Sequence, residues 1–265
     1  MADHAELMPI ASQAVSMARK IIQQRAPVSV TAKGDRDMVT DVDLAVEDAV
    51  RDFLARETPD IRLVGEEHGD TGAPNSTLWW VLDPIDGTAN FARGIPLSAV
   101  SLALVDGTQA VLAAIDLPFM DTWYTARAGG GAYANGEPMR CSAVTELSDA
   151  VVSIGDFAVG GGEAAEKNRV RLALLADLGA RVQRVRMIGT AAVDLAWVAQ
   201  GRLDATVNLS NKPWDTMAGV LLVREAGGLV LDYDGSSHTS ESVNTVAVTA
   251  GLRDVIMDRL GRARL

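Results

Sequence analysis

The sequence predicts an α+β fold in two halves, and three observations carry that prediction. Residues 4–25 place apolar side chains at helical spacing. Residues 98–127 hold three apolar runs separated only by turn residues, as successive antiparallel strands do. From residue 150 onward strand-like and helix-like stretches alternate instead. The boundary falls near residue 140 without a flexible linker, giving an N-terminal α+β half, 1–140, and a C-terminal α/β half, 141–265.

In the opening helix Leu7, Ile10, Ala14, Met17, Ala18 and Ile21 form the expected buried stripe, and Pro27 ends it. Residues 31–37 read as a polar loop. Thr40 is placed to cap the next helix, with acids after it at the positive end of the helix dipole. Val46, Val50, Phe53 and Leu54 supply that helix's apolar face to about Arg56. Pro59 breaks the pattern, and 61–64 is a short strand leading to Gly65-Glu66-Glu67. The run 78–82 reads as a buried strand that stops at Asp83-Pro84, because proline has no N–H to give to a ladder. Strands 98–105, 110–116 and 121–127 follow, turning at Asp106-Gly107 and Pro118, and Asn135-Gly136 is a two-residue hairpin signal. Beyond it come strand 150–154, helix 163–178, strand 181–187, helix 190–200, strand 203–207 and helix 215–226. Strands 229–232 and 245–249 and a C-terminal helix complete the chain. Gly201 and Gly227-Gly228 sit where helix C-caps belong.

Hydrophobic residues make up 48% and charged residues 22% of the 265 positions, which fits a folded chain with a substantial core and argues against disorder. The net charge of −11 speaks against a nucleic-acid-binding surface and fits an acidic cluster that a bound cation neutralises. Cys141 is the single cysteine, which excludes an intrachain disulfide and a cysteine-rich zinc site, and His4, His68 and His238 show no ligand spacing. No segment approaches the roughly 18 unbroken apolar residues of a membrane span, and the N-terminus lacks a signal pattern. The expectation is a cytoplasmic protein with neither a membrane nor a nucleic-acid partner.

The chemistry concentrates in Asp83-Pro84-Ile85-Asp86-Gly87-Thr88. Two carboxylates stand at the end of a rigid strand, followed by a glycine and a hydroxyl. Carboxylates attract a hard divalent cation, and a run of free N–H groups makes an anion-binding nest. Side by side they are the parts for metal-assisted phosphate chemistry. Either Asp alone is an ordinary turn residue, but a plain turn needs neither the second acid nor Thr88. Glu66, also at a strand end, is the expected third carboxylate, because one turn cannot fill an octahedral shell. Asp215, in Lys212-Pro213-Trp214-Asp215, heads an apolar helix, where a first-turn acid can also be simply dipole-stabilised. Oxygen donors throughout select Mg²⁺, or Mn²⁺, over zinc.

Residues 80–91 resemble the first signature of the inositol monophosphatase family, W-[VI]-[IL]-D-P-[IL]-D-G-T-x-N-F. Residues 214–228 resemble its second, W-D-x-x-A-x-x-x-[LIV]-[LIV]-x-E-A-G-G. The resemblance runs from about Val39 to Gly228 and takes in Gly189-Thr190-Ala191-Ala192. It implies the layered αβαβα sandwich of the inositol monophosphatase and fructose-1,6-bisphosphatase type, with a metal site between the two halves and commonly a homodimer. It also implies hydrolysis of a small phosphate ester by a metal-activated water, without a covalent phospho-enzyme. By the same resemblance Glu66, Asp83, Asp86, Asp215 and the Ile85 carbonyl hold the metals. Asp86, Gly87 and Thr88 contact the phosphate or substrate. Thr88 orients the attacking water, Asp43 supports it, and Glu66 counts as catalytic with them. Gly189, Thr190 and Ala191 form the other wall of the substrate pocket. Most metal ligands then lie in 1–140, while Asp215 and the substrate-binding residues lie in 141–265.

The chain departs from the family pattern at Asn208, seven positions before Asp215, where inositol-preferring members often carry a Glu that contacts sugar hydroxyls. An asparagine still offers a donor and an acceptor, without the charge. Inositol 1-phosphate is the leading substrate, with histidinol phosphate and fructose 1,6-bisphosphate as alternatives within the family. Loop 157–162 is placed to border the pocket. A rival reading takes Gly160-Gly161-Gly162-Glu163-Ala164-Ala165 as G-x-G-x-x-A, with Arg184 and Arg186 downstream, in an NADP-dependent dehydrogenase. That fingerprint is short, lies mid-chain and leaves the central acids unexplained. A non-catalytic relic of the fold is disfavoured because no expected metal ligand is missing.

Overall fold

A computed structural model describes residues 4–34, 38–71 and 76–264. Helix α1 (Met8–Gln24) buries Ala11, Ala14, Val15, Ala18 and Ile22. The stripe is therefore turned from the expected one, with Leu7, Ile10, Met17 and Ile21 half-buried along its flank. Small alanines at the contact let the helix lie close to both its helical neighbour and the sheet, a closeness that large side chains would prevent.

The stretch read as a polar loop instead opens with β1 (Val30–Ala32), paired antiparallel with β2 (Met38–Thr40). Residues 35–37 of that stretch lie outside the described residues. The segment before the pair is tethered by Asp41, whose Oδ1 accepts the N–H groups of Val28 at 2.9 Å and Ser29 at 3.0 Å. Helix α2 (Asp41–Glu57) starts as expected: Thr40 caps it, and the Asp43 carboxylate reaches back to the Thr40 N–H at 3.0 Å in a capping box. Its buried face includes Val46, Val50, Phe53 and Leu54.

The large sheet collects β3 (Arg62–Gly65), β4 (Gly69–Thr71), β5 (Leu78–Asp86), then, after the short helix α3 (Thr88–Ala92), β6 (Ala99–Asp106), β7 (Gln109–Leu117), β8 (Thr122–Arg127), β9 (Gly131–Ala134) and β10 (Glu137–Pro138). Their spatial order is β10-β9-β8-β7-β6-β5-β3-β4. Every pairing is antiparallel except β3 with β5. Asn135 and Gly136 both take positive φ, 50° and 82°, as the β9–β10 hairpin requires.

The sequence places the end of β5 at Leu82, whereas the strand runs on to Asp86. Asp83 still pairs with Ser101 and Asp86 with Ala99, and the register shifts between them. The irregularity leaves Pro84 outside the ladder, so its missing N–H breaks no pair and the strand continues.

The second sheet follows from β11 (Val151–Ile154), α4 (Ala164–Gly179), β12 (Arg184–Arg186), α5 (Ala191–Ala199), β13 (Ala205–Asn208), α6 (Pro213–Glu225), β14 (Leu229–Leu231), β15 (Thr245–Val248) and α7 (Arg253–Ala263). Its order is β12-β11-β13-β15-β14, with β11 parallel to both neighbours and the rest antiparallel. Gly201 and Gly227 take left-handed φ of 71° and 87° just past α5 and α6, as expected of C-caps. The glycine fingerprint of the dehydrogenase reading lies in the 155–163 loop, so α4 does not rise directly from the end of β11. Arg184 and Arg186 are exposed on the edge strand β12.

Three apolar clusters define the layers. One side of the large sheet, through Trp80, Leu82, Leu102 and Leu112, packs on α1 and α2. Its other side, through Trp79, Val81, Ala103 and Ile115, packs on α5 and α6, which also meet Val230 and Ala247 of the second sheet. The far side of that sheet packs on α4 and α7 through Val152, Val207, Leu174 and Ile256. The result is the expected αβαβα sandwich. Both faces of β5 are buried, which is why it reads as an unbroken apolar run. Among the described residues no helix is long and apolar enough to cross a membrane.

Candidate metal and phosphate site

The parallel pairing of β3 with β5 brings two strand ends to the same edge. Gly65 is in register with Leu82, and the Glu66 N–H donates to the Leu82 carbonyl at 3.2 Å, so Glu66 and Asp83 emerge side by side. Helix α6, begun by Pro213 in its first turn, brings Asp215 from the next layer. Ligand oxygens of Glu66, Asp83 and Asp215 all lie within 4.8 Å of one another. Asp83 is almost wholly buried, and its Oδ1 accepts the Ile85 N–H at 3.0 Å. Burial, and then the charges of Glu66, Asp86 and Asp215, push its carboxyl well above the ordinary range. Burial, followed by the Asp86 charge, does the same to Asp215. Crowded carboxylates, Asp83 buried and Glu66 and Asp215 half-buried, offer hard oxygen donors that fit a divalent cation such as Mg²⁺, which relieves the repulsion.

Asp86 lines the same cavity, which measures about 260 Å³ and also touches Ile85, Gly87, Thr88, Gly189 and Lys212. It stands outside the carboxylate trio, because its Oδ2 accepts the Thr190 hydroxyl at 2.6 Å and the Ala192 N–H at 2.5 Å. Burial raises its pKa to about 6 against those hydrogen bonds. Gly87 caps α3 with φ +88°, and a Cβ there would stand 3.0 Å from the Leu97 carbonyl, so only glycine fits. The Thr88 hydroxyl lies 3.0 Å from Asp43 Oδ1 and 3.0 Å from the Ile85 carbonyl. Asp43, buried at the start of α2, is raised by burial and held down by the Thr40 and Thr88 contacts. The wall at 189–191 is held against this turn by Asn90, whose amide donates to the Ile188 carbonyl at 2.9 Å and the Leu97 carbonyl at 2.8 Å.

Four further residues escape sequence reasoning. Lys33 donates to Glu66 at 3.0 Å and Glu67 at 2.8 Å. Burial works against its charge, but the two carboxylates outweigh it and raise its pKa. Glu47, fully buried on α2, accepts the N–H groups of Glu67 at 2.8 Å and His68 at 2.9 Å and so braces the turn that carries Glu66. Asp156 lines the cavity at the end of the β11 layer. Asp194, on α5, lines an adjoining cavity with Asn208 and is pushed by burial to about 8, with the Ser153 hydroxyl opposing the shift. No local signal marks these four as parts of the site; distant segments meeting bring them to it. Within loop 157–162, Ala158 is pinned by Asn168, which bonds both its N–H and its carbonyl at 2.8 Å. Glu225 of the second signature is structural, accepting the N–H groups of Gly129 and Gly131 at 2.8 Å each.

A five-layer sandwich carrying a cleft-lining oxygen-donor cluster beside a hydroxyl–carboxylate pair fits the class of metal-dependent phosphate-ester hydrolases. The sequence model of the inositol monophosphatase family matches residues 3–263. An inositol-1-monophosphatase of Mesorhizobium japonicum is 39% identical over 220 residues, covering 83% of this chain and 81% of that protein. The Nus factor SuhB of Escherichia coli K12 is 34% identical over 243 residues, covering 89% and 90%. The solved structure of the extragenic suppressor protein SuhB of Bartonella henselae superposes with a TM-score of 0.90 at 32% identity, covering 96% of this chain and 98% of that one. The chain belongs to the inositol monophosphatase family and is a phosphoric monoester hydrolase of that family's type. The dehydrogenase reading falls with that assignment.

Proposed function

We propose that this chain hydrolyses inositol 1-phosphate with Mg²⁺, for which Mn²⁺ can substitute. The observation that carries the proposal is the convergence of Glu66, Asp83 and Asp215 within 4.8 Å, next to Thr88 bonded to Asp43. In this reading Glu66, Asp83, Asp86, Asp215 and the Ile85 carbonyl hold the metals, with the N-terminal half, 1–140, supplying all but Asp215. When bound, the cations neutralise phosphoryl charge and make water a better nucleophile. Thr88 orients that water: with its proton directed to Asp43 or Ile85, its oxygen is left to accept from the water. Asp43 keeps Thr88 in that rotamer and is itself held by the capping box. Gly87, in its left-handed turn, lets a phosphate approach the backbone closely. Thr190 and the Ala192 N–H fix Asp86, and Gly189, Thr190, Ala191 and Asn208 border the alcohol portion.

Chelation tests this directly: excess chelator should abolish phosphate release and added Mg²⁺ should restore it. Full turnover in chelator refutes the mechanism. Side-by-side assay of inositol 1-phosphate, histidinol phosphate and fructose 1,6-bisphosphate should rank the first highest in kcat/KM. Histidinol phosphate is the second reading, favoured by the Asp156 carboxylate facing the cleft, which suits a cationic amine. For assembly and compartment we infer a cytoplasmic homodimer without a nucleic-acid partner, supported by family resemblance and by the net charge of −11. Sedimentation of the purified protein tests the dimer.

A further inference from the structure

Among the described residues, the cavity at the carboxylate trio is lined by five acids, Glu66, Asp83, Asp86, Asp156 and Asp215, and by one cation, Lys212. A phosphate monoester is a dianion, so it enters a space whose acids repel it. Lys212 stands three residues before Asp215, and its backbone is fixed there. Its carbonyl accepts the Asp215 N–H at 3.0 Å and the Thr216 hydroxyl at 3.1 Å. Pro213 after it holds the residue extended, at φ −111° and ψ 125°. The side chain is not locked in the same way, being 48% exposed. Its ammonium lies 3.9 Å from Glu66 Oε1, beyond hydrogen-bond reach, and 5.8 Å from the centre of the Trp214 ring. The same Glu66 oxygen already takes Lys33 at 3.0 Å, so the donors of Lys212 are left free among the described residues.

Nothing in the helix itself asks for a lysine here. Lys212 is the N-cap of α6 and makes no side-chain cap, where Ser, Thr, Asp or Asn would satisfy an open N–H. Its charge also stands at the positive end of the helix dipole, where a cation is unfavourable. A residue that local stability disfavours, set in the wall of the site, is explained by what the site binds. We propose that Lys212 is a further catalytic residue, whose mobile ammonium on a fixed backbone binds the phosphoryl group of the substrate in the cavity it shares with Gly87 and Thr88. The proposal rests on the phosphatase reading above and adds to it a cation borne by the protein. With Glu66 engaged by a divalent cation, the ammonium faces like charge, and a phosphate seated beside both is attracted by each. Lys212 thus favours the site loaded with phosphate over the site loaded with metal alone. The phosphoryl group is common to every ester, so the contribution is the same whatever alcohol is attached.

The test measures the Kd of inorganic phosphate by calorimetry at saturating Mg²⁺, with kcat and KM for inositol 1-phosphate and 4-nitrophenyl phosphate, in wild type, Lys212→Gln and Lys212→Arg. Lys212→Gln should weaken phosphate binding by about tenfold or more, the range for losing a hydrogen bond to a charged group. It should lower kcat/KM for both esters by a similar factor. Lys212→Arg, which keeps the charge, should restore most of both. The melting temperature of Lys212→Gln should not fall, because removing a cation from a helix N-terminus does not destabilise the helix. A phosphate Kd unchanged in Lys212→Gln overturns the proposal. So does an equal loss in Lys212→Arg, a loss confined to one ester, or a loss that additional Mg²⁺ repairs, since the last would mean that the lysine acts through Glu66. If wild type releases phosphate from neither ester with Mg²⁺, the phosphatase reading falls as well. If wild type is active and Lys212→Gln binds phosphate as tightly, only the Lys212 proposal falls.

Discussion

Asp83→Asn should lower kcat by about a thousandfold while the protein stays folded. Asparagine keeps the shape, and its carbonyl oxygen can still accept the Ile85 N–H now held at 3.0 Å. The charge is what disappears, at the most buried point of the trio. Stability should respond in the opposite direction when metal is removed. Burial first, and like charges second, hold Asp83 well above the ordinary carboxylate range, and burial raises Asp86 to about 6. A carboxyl whose folded pKa exceeds the unfolded value of about 3.9 retains its proton in the native state after the unfolded chain has lost it. Its stabilisation is complete below about pH 4 and is lost as pH rises through the folded pKa, near 6 for Asp86. Chelated wild type should therefore melt at a lower temperature at pH 8 than at pH 5. Saturating Mg²⁺ should narrow that gap, as should Asp83→Asn without metal. Near-wild-type turnover of Asp83→Asn at saturating Mg²⁺ would mean that the cation sits elsewhere.

Glu47→Ala should cost about 3–5 kcal/mol, the range for breaking a buried ion pair. Glu47 Oε1 takes Arg51 Nη2 at 2.7 Å and Nε at 2.9 Å together with the His68 N–H, and Oε2 takes the Glu67 N–H. Gly65 is part of the same arrangement, since a Cβ there would stand 2.2 Å from Glu47 Oε1. Truncation leaves the largely covered guanidinium of Arg51 without its carboxylate, held among the described residues only by the Thr71 hydroxyl and the Gly69 carbonyl, strands two N–H groups, and frees the turn that presents Glu66. Denaturation should show the lost stability, and the Mg²⁺ concentration for half-maximal activity should rise. A full stability loss with an unchanged Mg²⁺ requirement would show that Glu66 is positioned by other contacts, of which Lys33 is the first to examine.

What the sequence alone determined about this protein is what lies close together along the chain. Thr40 and Asp43 are one helical turn apart, so the capping box is written locally; Asn135-Gly136 dictates its own hairpin. Asp83, Asp86, Gly87 and Thr88 share one short strand end, so the chemistry they can support is legible before the chain folds. Tertiary structure decided the rest. Whether Pro84 stops β5 or is passed by an irregular pairing depends on β6, and which side of α1 is buried depends on α2 and the sheet behind it. Glu66 joins Asp83 only because β3 runs parallel to β5, and Asp215 reaches them only because α6 packs on the opposite layer. Lys33, Glu47, Asp156 and Asp194 carry no local mark, since a charged side chain in a loop or on a helix looks like any solvated one. Their roles arise when folding removes water from them and fixes which groups come within reach. A side chain's intrinsic chemistry is set by its type, but its surroundings are set by which distant segments the core brings together.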